Sequence, residues 1–173
     1  TCASKATREF YAEAFWIEKE KILVLGMPRI DYLLEKDNQI NKKVEKLLEE
    51  YPKLKEKQNI LYVPTFRKGE STLVEKIIDE IDETKYNLII RLHPLDKTAI
   101  DSKYIVDSKY NTFDLIKIAD YVITDYSAIA FEAAVVNRPI FFYVYDSNEY
   151  KENRGLNVNL NKEMKHATFN NIT

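Results

Sequence analysis

Residues 120–144 read DYVITDYSAIAFEAAVVNRPIFFYV and carry the clearest fold signal in the chain. A short apolar run at 120–124 is followed by a helical segment at 127–137 and by a second apolar run at 138–144. Both runs are largely continuous rather than alternating, which is typical of strands that are buried on both faces. The stretch therefore predicts a strand–helix–strand unit of a parallel sheet.

The same alternation of apolar runs and helical segments extends towards the N-terminus. Further strands are predicted at 21–25, 59–63, 86–92 and 104–106. Helices are predicted at 4–16, 29–34, 38–51, 71–81 and 112–119, the last with Thr112 as its cap. Together these elements predict an α/β fold with a doubly wound parallel sheet of about six strands.

The composition limits the functions that the chain can have. Its 173 residues fit one α/β domain or a small domain with part of another. Because 45% of them are hydrophobic, we expect a folded chain with a core rather than a disordered one. Lys and Arg number 26 against 28 Asp and Glu, so we expect no nucleic-acid partner. The single cysteine, Cys2, excludes an internal disulfide. No apolar run approaches the roughly 18 residues of a membrane span.

Several common sites are excluded by spacing. The three glycines lie too far apart for a dinucleotide-binding turn or a Walker A loop. Ser127 lacks the flanking glycines of a nucleophile elbow, which argues against a catalytic triad. No His and carboxylate residues have ligand spacing, so we expect no metal site.

Polar residues follow the carboxyl ends of several predicted strands, where open parallel sheets bind ligands. They are Gly26 to Arg29, Thr65, Arg67, His93, Asp125, Ser127, Asp146 and Arg154. Arginines, a histidine and a serine at a helix start suit a pyrophosphate, because they supply charge-assisted donors beside a positive helix terminus. The pattern predicts an anion or nucleotide site.

Each of these residues also has a structural interpretation. Arg67 could pair with a surface carboxylate, and His93 could hydrogen-bond a carbonyl in its turn. Ser127 is expected to cap the helix that follows it, and Asp125 could orient its own turn. Glu132, on an apolar helix, needs a partner or water, which a salt bridge to Arg138 could supply.

Five motifs in order resemble those of the CDP-glycerol glycerophosphotransferases, the teichoic-acid primases and polymerases of Gram-positive and related bacteria. The motifs are GMPRID at 26–31, PTFR at 64–67, RLHP at 91–94, DYVITDYSA at 120–128, and the segment from Arg138 to Gly155. The resemblance implies a GT-B architecture, in which two Rossmann-like domains face a cleft and this chain matches the C-terminal one.

The resemblance also implies a domain organisation. Residues 1–20 would end the preceding domain or connect to it, residues 21–160 would bind the nucleotide donor, and residues 161–173 would be a truncated tail. Because the chain begins with Thr1 rather than Met, we expect it to be part of a longer protein.

The resemblance further implies roles for individual residues. His93 and Ser127 would hold the donor pyrophosphate, with His93 stabilising the phosphate during catalysis. Glu132 would occupy the acidic position of the family site, and Arg67 and Arg154 would contact nucleotide or phosphate. Thr65, Asp125 and Ala128 complete the expected set. Ala128 stands where the family commonly has a second serine, so one hydroxyl donor is lost.

The implied reaction transfers glycerol phosphate from CDP-glycerol, or another CDP-alcohol, to a hydroxyl of a lipid-linked acceptor, with no required cofactor. The general base would lie in an N-terminal half outside this chain, so we expect the chain alone to be inactive. The parent protein would be cytoplasmic, at the inner face of the membrane. The alternatives are a GT-B glycosyltransferase, a CDP-ribitol transferase and a non-enzymatic nucleotide-binding module. A receiver-like module would place acidic residues where Gly26 to Arg29 stand.

Overall fold

The protein is described by a computed structural model that covers residues 1–34, 38–67, 73–155 and 160–170. The chain forms two compact units, residues 1–36 and 37–173. In the first unit, α1 spans Arg8–Phe15 and α2 spans Pro28–Leu34, with a 3₁₀ turn at Lys19–Lys21 between them. No helix of the described residues is long and apolar enough to cross a membrane.

The strand predicted at 21–25 is wrong. Val24 makes one isolated bridge with Cys2, and no residue of this run joins the sheet. The run is apolar, but Leu23 and Leu25 are exposed, and its backbone pairs locally with the chain start. We expected Gly26 to Arg29 to follow a strand of the sheet. This expectation is wrong, because no strand of the sheet precedes them.

The second unit contains a five-stranded sheet in the order β2-β1-β3-β4-β5, and every strand pair is parallel. The strands are β1 Gln58–Val63, β2 Tyr86–Ile90, β3 Tyr121–Thr124, β4 Ile140–Tyr143 and β5 Thr168–Phe169. The helices are α3 Asn38–Glu50, α4 Val74–Glu80, α5 Thr112–Ile118, α6 Ile129–Val135, α7 Ser147–Arg154 and α8 Leu160–Glu163. The predicted α/β class with a parallel sheet is thus confirmed.

The sheet differs from the prediction in detail. Residues 104–106 form no strand. Tyr104 ends a 3₁₀ turn at Ser102–Tyr104, which the Asp101 side chain caps, and residues 105–106 lie outside any helix or strand. The two-residue strand β5 and the helix α7 were not predicted. The helix predicted at 71–81 begins at Val74 within the described residues, and its first two predicted positions lie outside them.

Both faces of the sheet are covered, as continuous apolar strands require. Leu61 and Val63 of β1 point to one face and pack with residues of α3, α5 and α6. Ile60 and Tyr62 point to the other face and pack with residues of α4. The chain leaves β1 towards β2 on one side and returns to β3 on the other. The carboxyl ends of β1 and β3 therefore form the switch point of the sheet, where a crevice opens.

Candidate nucleotide-binding site

A cleft of about 780 Å³ opens at this switch point, beyond the carboxyl ends of β1, β2 and β3. Its polar lining consists of Thr65, Arg91, His93, Ser108, Tyr110, Asn111, Thr112, Tyr126, Ser127 and Arg154. The lining contains two arginines and a histidine, and none of its described residues is a carboxylate. A cleft with these side chains favours an anionic ligand.

Thr65 and Asp125 join the ends of the two central strands. The Thr65 backbone N–H donates to both carboxylate oxygens of Asp125, at 2.9 and 3.0 Å, and its hydroxyl donates to Oδ1 at 2.5 Å. Thr65 lines the cleft, whereas Asp125 is only 3% exposed and lies behind it. Asp125 therefore orients the loop of the neighbouring strand.

Arg67 does not line the cleft but lies buried behind it, with 7% of its surface exposed. Its guanidinium forms ion pairs with Asp125 at 2.9 Å and with Asp146 at 2.6 Å. The expected contact of Arg67 with phosphate is therefore not supported by its position. The alternative, pairing with a carboxylate, matches the geometry, although the pair is buried rather than on the surface.

His93 is exposed and lines the cleft. Its Nδ1 accepts the backbone N–H of Leu95 at 3.2 Å, and its ring centre lies 5.4 Å from that of Phe66. An Nδ1 that accepts a hydrogen bond leaves the proton of the neutral ring on Nε2. His93 can therefore offer an N–H donor to a ligand without first becoming charged.

The segment before α6 places Ser127 in the cleft. The Ser127 hydroxyl oxygen accepts the Ile129 backbone N–H at 3.3 Å, and both residues line the cleft. The residue that directly precedes α6 is Ala128, so the helix begins later than predicted. Ala128 is exposed but is not among the lining residues, and Glu132, at 1% exposure, is buried within α6.

Arg154 enters the cleft from the end of α7. Its guanidinium carbon lies 5.7 Å from the centre of the Tyr150 ring, and the residue is exposed. The structure thus brings Thr65, His93, Ser127 and Arg154 together. It places Arg67, Asp125, Ala128 and Glu132 outside the lining.

Arg91 also lines the cleft, although it was not among the expected site residues. Its Nη2 donates to the carbonyls of Val106 and Tyr110, at 3.1 and 2.9 Å. Burial lowers the pKa of Arg91. Because its hydrogen-bond partners are carbonyls rather than carboxylates, its charge is not neutralised by them and can act on a ligand. The strand predicted at 86–92 placed Arg91 inside the sheet, whereas β2 ends at Ile90, so the misplaced strand end concealed this residue.

The loop before α5 also borders the cleft. Asn111 caps α5 by accepting the Asp114 N–H at 3.0 Å, and the Asp114 carboxylate accepts the Asn111 N–H at 2.8 Å. The predicted cap, Thr112, is instead the first residue of the helix.

Within the described residues, no group of three His, Cys, Asp or Glu side chains could hold a metal ion.

Two curated relatives resemble most of this chain. It is 34% identical to the teichoic acid glycerol-phosphate primase of Bacillus subtilis over 167 residues, which cover 90% of this chain and 42% of the relative. It is 33% identical to the teichoic acid ribitol-phosphate primase of Bacillus spizizenii over 157 residues, which cover 83% of this chain and 40% of that protein. The chain thus spans less than half the length of these relatives.

Solved structures and a family profile agree with these relatives. A histidine-to-alanine variant of the wall teichoic acid polymerase TagF matches 97% of this chain with a TM-score of 0.74 at 26% identity, over 45% of its own chain. A histidine-to-asparagine variant of TagF soaked with CDPG matches with a TM-score of 0.73 at 29% identity, over 97% of this chain and 43% of its own. Residues 1–171 match the family profile. The chain therefore belongs to the CDP-glycerol:poly(glycerophosphate) glycerophosphotransferase family.

Proposed function

We propose that the chain is the donor-binding domain of a transferase that moves glycerol phosphate from CDP-glycerol to a hydroxyl acceptor. The product would be a teichoic-acid-like or capsular polymer. Membership of the glycerophosphotransferase family supports this donor class. So does the likeness to a polymerase whose structure was studied with CDPG.

One observation carries the proposal. The cleft at the switch point is lined by Arg91, His93 and Arg154, and no described lining residue is acidic. A diphosphate carries two or more negative charges, and it needs charge-assisted donors to replace its hydration. The cleft supplies these donors on the sides of β2 and α7, while hydroxyl groups lie at the ends of β1 and β3.

We assign direct contacts with the diphosphate to His93, Ser127, Arg91 and Arg154. His93 would donate its Nε2 proton to a phosphate oxygen, and Ser127 would donate its hydroxyl. Thr65 lines the same cleft, but its hydroxyl already donates to Asp125, so it would act as an acceptor for the ligand. Arg67, Asp125 and Glu132 would support the site from behind.

The chemistry is a displacement at phosphorus. The acceptor hydroxyl oxygen forms a bond to the phosphorus that bears glycerol, and the bond from this phosphorus to the bridging oxygen breaks. CMP leaves with the bridging oxygen and its electron pair, while the hydroxyl proton passes to a base. Charge grows on the leaving phosphate, where His93 and the arginines would stabilise it. We place the base in a part of the parent protein outside residues 1–173.

The wider organisation follows from the same proposal. Residues 21–160 would form the donor domain of a GT-B protein, with 1–20 and 161–173 as connecting segments. The acceptor would be a lipid-linked polymer, and the parent protein would act in the cytoplasm at the membrane surface.

A CDP-ribitol donor is the second candidate. It is favoured by the ribitol-phosphate primase relative, whose identity of 33% nearly equals the 34% of the glycerol-phosphate primase. Both donors share the cytidine and the diphosphate, so they differ only where the alcohol lies. Affinities for CDP-glycerol and CDP-ribitol, measured side by side, would distinguish them.

Calorimetric titration of the 173-residue chain tests the proposal. We expect heat from CDP and from CDP-glycerol, weaker binding of CMP, and little competition by UDP or GDP. Preference for UDP or GDP would instead indicate a sugar-nucleotide glycosyltransferase. Absence of heat from every nucleotide, with a cooperative melting transition, would refute nucleotide binding by this domain.

A further inference from the structure

Arg67 is the most highly connected side chain behind the cleft. Its Nε donates to Asp146 Oδ2 at 2.6 Å and its Nη1 donates to the Thr65 carbonyl at 2.7 Å. Its Nη2 donates to Asp125 Oδ2 at 2.9 Å and to Asp146 Oδ1 at 3.2 Å. A guanidinium has about five N–H donors, and these bonds use most of them. Arg67 therefore has little capacity left for a ligand.

Aromatic rings enclose the same guanidinium. Its carbon lies 4.9 Å from the ring centre of Tyr150, 5.4 Å from that of Tyr126 and 5.8 Å from that of Tyr145. Tyr126 and Tyr150 stack with their centres 3.9 Å apart, and the Tyr126 hydroxyl donates to Asp146 at 3.1 Å. The cation and the rings form one packed group, in which each member restrains the others.

This group connects two segments that line the cleft with the segment that leads into α7. Thr65 follows β1, Tyr126 follows β3, and Asp146 lies between β4 and α7. The Asp146 carboxylate does not cap α7 but pairs with Arg67, while its carbonyl accepts the Tyr150 N–H at 2.9 Å. α7 is thus attached at its first turn, and Arg154 is carried at its last residue.

We propose that Arg67 is a positioning residue, which holds Tyr126 and α7 with Arg154 at the cleft through Asp125 and Asp146. It does not itself bind phosphate. The proposal rests on the proposed function in so far as the held residues serve nucleotide binding. A positioning role and a phosphate-ligand role of Arg67 predict opposite effects on CDP binding when its partner Asp146 is substituted.

Asp146→Asn separates the two roles. If Arg67 were a phosphate ligand, loss of the carboxylate charge would free its guanidinium, and CDP would bind as before or more tightly. If Arg67 positions the site, the substitution loosens α7, and CDP affinity falls about tenfold. Arg67→Lys keeps the charge but cannot form the fork of bonds, so it should not rescue binding.

A double-substituted chain adds a second criterion. Arg67→Lys and Asp146→Asn act on one connection, so together they should weaken CDP binding no more than the stronger single change does. Lys103→Ala is the matched control, because it removes an exposed ion pair with Glu83 outside the cleft lining. Additive losses, or full affinity in Asp146→Asn, would overturn the positioning role.

Amide hydrogen exchange without nucleotide keeps the inference separate from the proposed function. In Asp146→Asn, amides of α7 should exchange about tenfold faster while those of β1 stay protected. Unchanged exchange in α7 would overturn the positioning role even if the wild-type chain binds CDP. Absence of CDP binding by the wild-type chain would instead refute the proposed function, and the exchange result would still decide the role of Arg67.

Discussion

Replacement of His93 by alanine should separate nucleotide binding from stability. In the folded chain the ring makes one hydrogen bond, from the Leu95 N–H to Nδ1 at 3.2 Å, and one ring contact with Phe66. Because the residue is exposed, loss of both should lower the free energy of unfolding by only about 1 kcal/mol. The melting temperature should therefore fall by a few degrees at most.

The effect on binding should be larger. A hydrogen bond to a charged group contributes about 1.5–3 kcal/mol, so loss of the Nε2 donor should weaken CDP binding about 10- to 150-fold. Calorimetric titration of CDP into wild-type and His93→Ala chains measures the ratio. His93→Gln, which restores an N–H donor, should recover part of the affinity.

His166→Ala is the matched control, since this second histidine is also exposed and lies outside the cleft. It should leave both CDP affinity and melting temperature unchanged. Equal CDP affinity in the wild-type and His93→Ala chains would show that the ring does not contact the diphosphate.

Three further changes test other parts of the account. Ser127→Ala should weaken CDP binding. It should also lower the free energy of unfolding by about 1 kcal/mol, because the Ile129 N–H loses its acceptor. Unaltered CDP affinity in calorimetry would show that Ser127 does not contact the nucleotide. Leu61→Ala, at a fully buried position of β1, should lower the unfolding free energy by about 2–5 kcal/mol in urea titration, and a smaller loss would contradict the two-sided core. Burial raises the pKa of Tyr145 to about 12, above the value near 10 in the unfolded chain. The folded state therefore disfavours the ionised phenol, so the stability that neutral Tyr145 contributes is complete below pH 10 and is lost as the pH rises towards 12. Melting curves between pH 9 and 12 should show this loss, reduced in Tyr145→Phe, and identical pH profiles for the two chains would contradict it.

The sheet was predictable because its central strands are buried on both faces. The apolar runs at 59–63, 120–124 and 138–144 each contain most of an observed strand. A short continuous apolar run is typical of a strand that is covered on both faces. The run at 21–25 is equally apolar, but it pairs only with the chain start. The local sequence of an apolar run does not determine which other segment its backbone will pair with.

The site was predictable by position but not by side-chain direction. Arg67 and Arg91 both follow a strand in the structure, but the predicted strand 86–92 included Arg91, so only Arg67 was expected at a strand end. Arg67 turns away from the cleft because Asp125 and Asp146 lie behind it, 58 and 79 residues further along the chain. Arg91 lies at the cleft because it donates to the carbonyls of Val106 and Tyr110. Val106 belongs to the run 104–106, which was wrongly predicted as a strand. Such long-range partners are fixed only by the fold.

A crystal structure of the chain with CDP-glycerol would show where the diphosphate binds and which side chains hold it. We expect the diphosphate at the switch point, within hydrogen-bond distance of His93 Nε2 and the Ser127 hydroxyl, with Arg91 and Arg154 beside it. Arg67 should remain on Asp125 and Asp146. A diphosphate bound elsewhere, or held by an Arg67 that has left its carboxylates, would refute these assignments.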